Sequence, residues 1–578
     1  MSRSIDREGI NADIDDKSLE LNTPANGRVA PPLADRSKPY NSGKGPITDA
    51  IINFFRLKGQ HRDSEALDDI ATQVSVYGGE HAEYYKPRED WENIAAFDPD
   101  FRWTWREEQK AIRKVDWKIF TWILLMFLAL DIDRANITNA TADNLLKDLK
   151  LTQADYNLGN TLQNLGFLLS ELPSQLISKR LGPNRWIPMQ IIIFSIISGA
   201  QFWLKGRASF LACRFLIAAF QGGFIPDVIL YLSYWYNKND LPLRLAFFWS
   251  INYIADLLTA FLAVGLLKMR GIAGRSGWRW MFLIEGVFTL FIGIASFWFM
   301  PQAPTRTKSK LFPKGYVTDR EEKIIVNRVI RDDPGKGGMH NRQALTLRMI
   351  FNSIMDWHMW PLYLIGLTYN LPSFPVKNYL QLSFKDLGFS TVNANLLTIP
   401  TTVISVFNII LISVISELVN NRSFVAMTEQ VWFLPCIIAL ESLAKFNGWQ
   451  YFAIATILLG FPYVHAIHVS WCSRNSGTIR TRTVSASLYN MFVQVSKIIG
   501  ANIYQASDKP RYHKGNRVLI GIICYNMVIL YPGTWLFYRF INKKRDKVWN
   551  NMTPDEKADY LETTKDEGNK RLDFRFAN

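Results

Sequence analysis

The chain has 578 residues, of which 48% are hydrophobic and 20% are charged, and its formal net charge is +15. Its mean hydropathy is -0.02, but the apolar residues are gathered into blocks of roughly 20, the length of a membrane-spanning helix, which excludes an ordinary soluble protein built from amphipathic elements. The basic residues flank these blocks, so the positive charge indicates membrane topology and not nucleic-acid binding.

Catalytic and metal-binding motifs are missing from the sequence. The 4 cysteines, Cys213, Cys436, Cys472 and Cys524, lie within apolar blocks and show no CxxC spacing, so neither a disulfide framework nor a zinc site is predicted. The sequence contains no HExxH, no GxSxG and no P-loop. We therefore expect no enzyme activity, no cofactor and no direct use of ATP.

The N-terminal segment differs in composition from the rest of the chain. Residues 1–28 lack the apolar core of a signal peptide, so the first span has to act as its own insertion signal. Residues 1–100 are rich in polar residues, proline and glycine, a composition that predicts a disordered cytosolic tail. Residues 104–118 follow as an amphipathic lead-in helix, with Trp103, Trp105 and Trp117 expected to anchor it at the membrane interface.

Twelve blocks reach the ~20-residue length that a helix needs to cross the hydrocarbon core of a bilayer. They lie at residues 117–136, 156–177, 187–204, 210–236, 245–267, 280–300, 360–382, 392–415, 424–443, 452–472, 484–503 and 518–540. The first and the seventh are the least secure because both contain charged residues. A polar stretch at residues 301–356 divides the spans six and six.

This division predicts an all-α membrane protein with two six-helix bundles, at residues 101–300 and 357–541. The central loop at residues 301–356 joins them, and residues 542–578 form a tail. Basic residues cluster before span one, after spans two, ten and twelve, and in the central loop, which all lie on one side of the membrane. By the positive-inside rule that side is the cytosol, so we expect both termini there.

Several local motifs resemble one family of transporters. The motifs are DRANI at residues 133–137, RFL at 214–216, QGGFIP at 221–226, GWRWMFLIEG at 277–286, DPDF at 98–101, NRVIRDDPGKG at 327–337, VSASLYNM at 484–491 and RLDFRF at 571–576. Together they resemble the anion:cation symporter family of the major facilitator superfamily, in its fungal allantoate permease branch. The resemblance runs from about residue 97 to the end of the chain, and the plan of two six-span halves agrees with it.

The resemblance implies a major facilitator fold and a secondary active transporter that works by alternating access. It implies proton-driven import of a small anion, such as a sulfonate, sulfate, thiosulfate, carboxylate or vitamin, across the plasma membrane. The expected partners are this anion, protons and the lipid bilayer, with no nucleic acid, and we expect a monomer.

Ionisable residues inside spans are costly and typically face a water-filled cavity. Asp133 and Arg134 close span one, where an acid could bind a proton and a guanidinium could hold an anion with a bidentate fork. The family uses the corresponding pair for protons and substrate, and Asn136 in the same motif is added to the predicted binding set. The alternative is a structural ion pair at the membrane boundary.

Arg214 in span four is the second candidate for anion binding, because the family places this arginine in the central cavity. It could instead extend to the lipid headgroups. Several relatives have an acid where this chain has Gln221, seven residues and about two helical turns later on the same face. An amide cannot carry the proton, so Asp133 is the predicted proton carrier, with Glu171, Asp227 or Asp256 as substitutes.

Three further residues in the second half are candidates for the site. Lys377 in span seven could complete the anion site or could extend to the interface. His465 and His468 lie three apart on span ten and would face similarly, as a pH-sensitive pair or as packed, hydrogen-bonded histidines.

A nutrient sensor built on the same fold, without net transport, is the main alternative function. It would usually carry a long signalling tail, whereas the segment after residue 540 is short. Uptake with and without a proton gradient distinguishes the two.

Overall fold

The structure is a computed structural model that describes residues 68, 70, 71, 86, 87 and 89 and residues 91–578 with short gaps. The gaps are at residues 238–239, 310, 333–350, 352–353, 420, 443–446, 477–478, 509–510 and 565–567. Most of the predicted tail at residues 1–100 therefore lies outside the described residues.

Within the described residues, twelve membrane-length segments follow one another as helices, six on each side of the central loop. Those of the first bundle are span one Thr121–Ala142, span two Gln153–Leu181, span three Pro183–Ala200, span four Arg207–Gln221 with Phe224–Leu232, span five Leu241–Leu266 and span six Gly277–Phe299. Those of the second are span seven Trp360–Thr368 with Ser373–Asp386, span eight Thr391–Leu396 with Ile399–Val419, span nine Arg422–Ser442, span ten Gly448–Leu459 with His465–Asn475, span eleven Ile479–Ala501 and span twelve His513–Tyr525, Asn526–Leu530 and Tyr531–Asn551. The predicted all-α fold with twelve spans in two six-helix bundles is confirmed.

In spans four, seven and ten, the breaks coincide with glycine and proline. Span four is interrupted at Gly222 and Gly223, span seven before Ser373 at Pro372, and span ten between Leu459 and His465. Proline lacks a backbone donor and clashes with the preceding turn, and broken helices are tolerated where neighbouring helices satisfy the freed backbone groups.

Seven of the described helices are long and apolar enough to cross a membrane by length and composition. They belong to spans three, four, five, six, eight, nine and twelve. Spans one, two and eleven carry too many polar and charged residues, and spans seven and ten are broken into shorter helices. All five of these line the central cavity described below, and polar residues within spans typically face such a cavity.

The two bundles contact each other through equivalent pairs of spans. Span two packs against span eleven, span five packs against span eight, and span one packs against span seven. Because span two is equivalent to span eight, and span five to span eleven, the first two contacts are related by the pseudo-twofold relation between the halves.

The lead-in helix, Trp105–Val115, lies at the end of the bundles where the chain enters and leaves, which we call the terminal end. Thr104 caps it with a capping box. Trp103 is fully buried and donates to Glu108 at 2.8 Å, and Trp105 is also buried, so these two do not act as exposed interface anchors; Trp117, in contrast, is 78% exposed. The central loop folds over Trp103, where the guanidinium of Arg331 lies 4.7 Å from the ring centroid.

The central-loop helix, Asp319–Asp332, packs on the lead-in helix and covers the first bundle. Its Arg328 is buried and contacts the carboxylates of Glu108, at 2.7 Å, and of Asp240, in the loop between spans four and five. Burial alone would lower the pKa of Arg328, but the charges of Asp240 and Glu108 outweigh it and raise the pKa. Trp91 and Ala96, within the segment predicted to be disordered, pack on Val326 and Ile330 of this helix.

The C-terminal residues dock against the second bundle. Phe576 is buried, its ring stacks on that of Tyr538 with centroids 5.0 Å apart, and Asn542 bonds its backbone at both N and O. The carbonyl of Ala577 accepts hydrogen bonds from Trp471 and Asn475. Each bundle thus carries its own cap at the terminal end.

At the opposite, distal end the two bundles are joined by hydrogen bonds that we call the distal seal. Asn157 of span two bonds the hydroxyl of Tyr379 and donates to the carbonyl of Tyr504 at 3.1 Å. Lys385 donates to the carbonyl of Ala142 at 2.6 Å. These bonds close the space between the bundles at this end.

Candidate functional site

A cavity of about 440 Å³ lies between the two bundles. Four spans of each bundle line it: one, two, four and five from the first, and seven, eight, ten and eleven from the second. Among the described lining residues none comes from spans three, six, nine or twelve. This arrangement, with a site at the interface of the two repeats, is typical of secondary transporters.

Charged side chains of both signs face the cavity. Its described lining holds four bases, Arg134, Arg214, Lys377 and Lys497, and three acids, Asp131, Glu171 and Asp256. With all of them ionised, the four positive and three negative charges leave a net charge of +1. In a low-dielectric setting such unbalanced positive charge attracts anions.

Arg134 reaches into the cavity from span one. Its Nε donates to Oε1 of Gln221 at 3.1 Å and its Nη1 lies 3.4 Å from Asp131 Oδ1. The guanidinium lies over the ring of Phe167, 5.0 Å from the centroid. Its Nη2 is buried without a hydrogen-bond partner among the described residues. The Nη2 nitrogen of the guanidinium group can therefore still donate hydrogen bonds to a ligand in the cavity.

Arg214 also faces the cavity, and it is 3% exposed. Its Nη2 donates to the side-chain oxygens of Asn160, at 3.1 Å, and of Gln163. Both partners are neutral amides from span two, and the described residues place no carboxylate within ion-pair distance of it. Its Nε has no acceptor among the described residues, so the buried charge is left uncompensated.

Asp133 and Asn136 do not line the cavity, although both belong to the predicted site. Asp133 is buried and accepts a hydrogen bond from Ser198 of span three at 3.1 Å. Asn136 donates to Glu285 of span six at 3.0 Å. Successive residues of a helix point about 100° apart, so Arg134 faces the cavity while Asp133 faces the interior of the first bundle.

The other three predicted proton carriers fall in different places. Glu171 is buried, lines the cavity and has an oxygen, Oε2, without a partner among the described residues. Asp256 lines the cavity and pairs with Lys377 of the other bundle at 3.1 Å. Asp227 lies outside the described lining, where Ser174 donates to it at 3.1 Å.

Gln221 is fully buried behind Arg134 and is not among the lining residues. Its contribution is the acceptor that holds the Nε of Arg134. Arg214 and Gln221 were predicted to share one face of span four. Arg214 lies in the cavity, whereas Gln221 lies behind it and holds Arg134.

The two histidines of span ten have different hydrogen-bond partners. His465 lines the cavity, and its Nδ1 lies 3.1 Å from the hydroxyl of Tyr369. His468 is buried inside the second bundle, where its two ring nitrogens lie 3.1 Å from the hydroxyl of Tyr489 and 3.0 Å from that of Tyr531. His468 thus corresponds to the packed, hydrogen-bonded alternative.

Several residues of the site received no role in the sequence-based prediction. Asp131 and Lys497 are charged residues within predicted spans that face the cavity, and Asn160 and Gln163 hold Arg214. The charge of Asp131 and Lys497 within predicted spans was enough to mark them as candidates for the site. Glu429 is an acid within span nine that is fully buried behind the cavity wall, and the same signal could have found it.

Comparison with known proteins supports the architecture. The family model described as Major Facilitator Superfamily matches residues 123–501. The uncharacterized transporter YIL166C of Saccharomyces cerevisiae is 44% identical over 489 residues, which cover 84% of this chain and 90% of the relative. The major facilitator-type transporter hxnP of Emericella nidulans is 24% identical over 449 residues, with 76% and 88% covered.

Solved structures of transporters share the fold. The proton:xylose symporter XylE superposes with a TM-score of 0.55 at 15% identity, over 74% of this chain and 96% of XylE. A bacterial homologue of the human lysosomal transporter Spinster, in an inward-facing and occupied conformation, gives a TM-score of 0.52 at 14% identity, over 73% and 96%. The chain is a multi-pass membrane transporter and not an enzyme, and it belongs to the major facilitator superfamily.

Proposed function

We propose that this transporter imports a small anion together with protons. The observation that carries the proposal is the state of the two arginines: Arg134 and Arg214 both face the cavity, and each has a buried guanidinium nitrogen without a partner among the described residues. A guanidinium stays charged at any physiological pH and binds carboxylate, sulfate or sulfonate oxygens through paired hydrogen bonds. A bound anion would satisfy these donors.

The neutral partners of Arg214 support the same proposal. Asn160 and Gln163 orient the guanidinium without neutralising it, whereas a structural ion pair would provide a carboxylate. Lys377 and Lys497 add positive charge from the second bundle. An anion held between Arg134 and Lys497 would contact both halves, as alternating access requires.

Glu171 is the best supported proton carrier of the four predicted ones, since it is a buried cavity carboxyl with one oxygen that has no hydrogen-bond partner in the described part of the chain. Asp256 is a second carrier. Its protonation would break the ion pair with Lys377 and leave the Lys377 ammonium group to bind the anion. The proton then enters with the anion. One proton per monovalent anion carries no net charge across the membrane, so the inward pH gradient drives uptake, at about 1.4 kcal/mol per proton per pH unit.

We further propose that the terminal end lies in the cytosol of a monomer in the plasma membrane, because the basic flanking segments lie there. The distal seal then closes the cavity toward the outside. A sulfonate, sulfate, thiosulfate or organic carboxylate of similar size is the expected cargo.

Uptake by the purified protein in proteoliposomes tests the proposal, with labelled sulfate competed by sulfonates, thiosulfate, allantoate and vitamins under an inward proton gradient. Arg134→Ala and Arg214→Ala should each reduce uptake by about 100-fold or more, since losing a charged hydrogen bond to a buried group costs about 3 kcal/mol. Arg539→Ala is the matched control, because Arg539 is exposed on span twelve and lies over the ring of Trp535.

Normal transport by both cavity variants, with expression equal to that of the control, would show that these arginines do not bind the substrate. Anion uptake that ignores the proton gradient would instead contradict proton coupling while leaving the anion site in place.

A further inference from the structure

Two breaks in the helices of the second bundle are held by neighbouring side chains of span nine, Glu429 and Gln430, which we call the span-nine pair. Both are fully buried. Glu429 Oε2 accepts from the backbone N–H of Val464 at 3.3 Å. Gln430 Nε2 donates to the carbonyl of Tyr369 at 2.6 Å. Val464 is the N-cap of the second helix of span ten, and Tyr369 is the C-cap of the first helix of span seven, so each lies at the edge of a break.

The break in span ten is capped from both sides. On the carbonyl side, Ser405 donates to Leu459 at 3.0 Å and Asn408 donates to Gly460 at 2.6 Å, both from span eight. On the amide side, Val464 is the N-cap of the eleven-residue helix His465–Asn475. The positive end of that helix stabilises an ionised carboxylate, so the charge state of Glu429 affects how firmly the break is held.

The two carboxylate oxygens of Glu429 differ in their hydrogen bonding. Oε1 is buried and has no hydrogen-bond partner among the described residues, and no ion pair of Glu429 occurs in that part of the chain. A buried carboxylate oxygen that accepts no hydrogen bond is costly when ionised. A proton would convert it into the neutral form that such surroundings favour.

The groups that face this carboxylate are uncharged. The hydroxyls that interact with it electrostatically come from spans five, seven, ten, eleven and twelve and belong to Tyr253, Tyr369, Tyr463, Tyr489 and Tyr531. From span ten the imidazoles of His465 and His468 lie in the same region, bonded to Tyr369, Tyr489 and Tyr531. From span eight the neighbouring groups are Ser405 and Asn408.

The pair lies one layer behind the cavity wall. Tyr463 and His465, which flank Val464, both line the cavity, and so does Tyr369. His465 also packs against Trp249 of span five, with ring centroids 5.7 Å apart. A change in the bend of span ten would therefore move residues that touch both the cargo space and the other bundle.

We propose that Glu429 is a proton-binding site of the second bundle, and that its protonation loosens the break in span ten and so moves the His465 side of the cavity. The inference rests on the proposed proton coupling and adds to it a site outside the cavity. Protonation removes the charge that holds the N–H of Val464, and deprotonation restores it. No covalent change is involved.

Two modes of transport test the proposal in proteoliposomes with labelled sulfate. At zero membrane potential, a pH gradient of one unit drives about tenfold accumulation per coupled proton. In Glu429→Gln, accumulation should fall toward onefold, while exchange of labelled sulfate at equal pH on both sides continues. Glu429→Asp should retain part of the accumulation. Glu441→Gln is the matched control, since Glu441 lies on the same span but pairs with Arg517 and His513.

A second readout needs no substrate. Hydrogen–deuterium exchange of residues 460–468, corrected for the intrinsic effect of pH, should change across the neutral range in the wild type and in Glu441→Gln. In Glu429→Gln it should be constant and equal to the low-pH value.

Three results have separate meanings. Absence of sulfate exchange by the wild type would contradict the proposed substrate and not the proton site, which the deuterium measurement still decides. Undiminished accumulation in Glu429→Gln, or an unchanged pH response of residues 460–468, would overturn the proposal. Equal loss of accumulation and exchange in both Glu429 variants would assign Glu429 a purely structural role and overturn it as well.

Discussion

Arg134 shows how a single residue in the cavity depends on its neighbours. Its Nε is held by the neutral amide of Gln221 at 3.1 Å, and Asp131 lies 3.4 Å from its Nη1. A carboxylate in place of the amide would form a close ion pair with Arg134 and compete with a bound anion. The identity of residue 221 thus sets how much positive charge the cargo meets.

Gln221→Glu should therefore weaken anion binding. We expect KM to rise by about tenfold or more, because buried charge pairs of this kind are worth at least 1.4 kcal/mol. Gln221→Met removes the hydrogen bond without adding charge and should have a smaller effect. Initial rates of uptake against anion concentration measure both, and an unchanged KM in Gln221→Glu would show that Arg134 does not contact the anion.

At the level of single residues, sequence reasoning located the charged positions but not always the direction of their side chains. Arg134, Arg214, Glu171, Asp256, Lys377 and His465 were predicted for the site and line the cavity. Asp133 and Asn136 lie on the same helix and turn toward spans three and six. Which of two adjacent residues faces the cavity depends on the rotation of the helix, and that is determined by packing between helices.

Among the elements, spans three and six approach each other closely at two glycines, Gly199 and Gly286. A Cβ atom added to Gly286 would lie 2.6 Å from the backbone nitrogen of Gly199 and 2.8 Å from its Cα. Neither atom belongs to a flexible side chain. Helix packing thus explains Gly286, the second glycine of the GWRWMFLIEG motif, as is common for small residues in membrane bundles.

Gly286→Ala should lower stability by about 1–3 kcal/mol, the usual cost of overpacking a close contact. Gly265→Ala is the matched control, because nothing lies within 4 Å of a Cβ at that position in span five. Thermal unfolding of the detergent-purified protein compares them. Equal melting temperatures for the two variants would contradict the close packing of spans three and six.

The spans themselves were predictable because hydrocarbon requires apolar surface over a full helix length. Spans four, seven and ten begin and end close to their predicted positions, but their breaks depend on Gly222, Pro372 and Pro462 together with partners from other spans. Periodicity and composition do not identify those partners. Intramembrane charge marks Glu429 in the sequence, but the hydrogen bonds of Glu429 and Gln430 to the breaks in spans ten and seven depend on the packing of the helices.

For the whole molecule, the distal seal determines which side of the cavity is closed. Through Asn157 its bonds join span two to span seven and to the segment after span eleven, and through Lys385 they join the last residue of span one to span seven. None of these residues is among those lining the cavity. Changing them should shift the balance of conformations without altering the substrate contacts.

Asn157→Ala should expose the cavity from the distal side, because it removes two hydrogen bonds worth about 0.5–1.5 kcal/mol each. In a chain whose native cysteines are replaced, a cysteine at Thr138 should react about tenfold faster with an impermeant thiol reagent applied from that side. Tyr525→Phe, on an exposed surface of span twelve, is the control and should leave the rate unchanged. Equal rates in all three proteins would show that the seal does not govern access.

The two caps at the terminal end are anchored to different halves. Arg328 ties the lead-in and central-loop helices to the first bundle, and Phe576 ties the C-terminal residues to the second. Each cap should travel with its own half as one body. The distance between a fluorescent dye on residues 91–100 and another near residue 571 would then change with each transport cycle. Both labels lie outside the membrane-spanning helices.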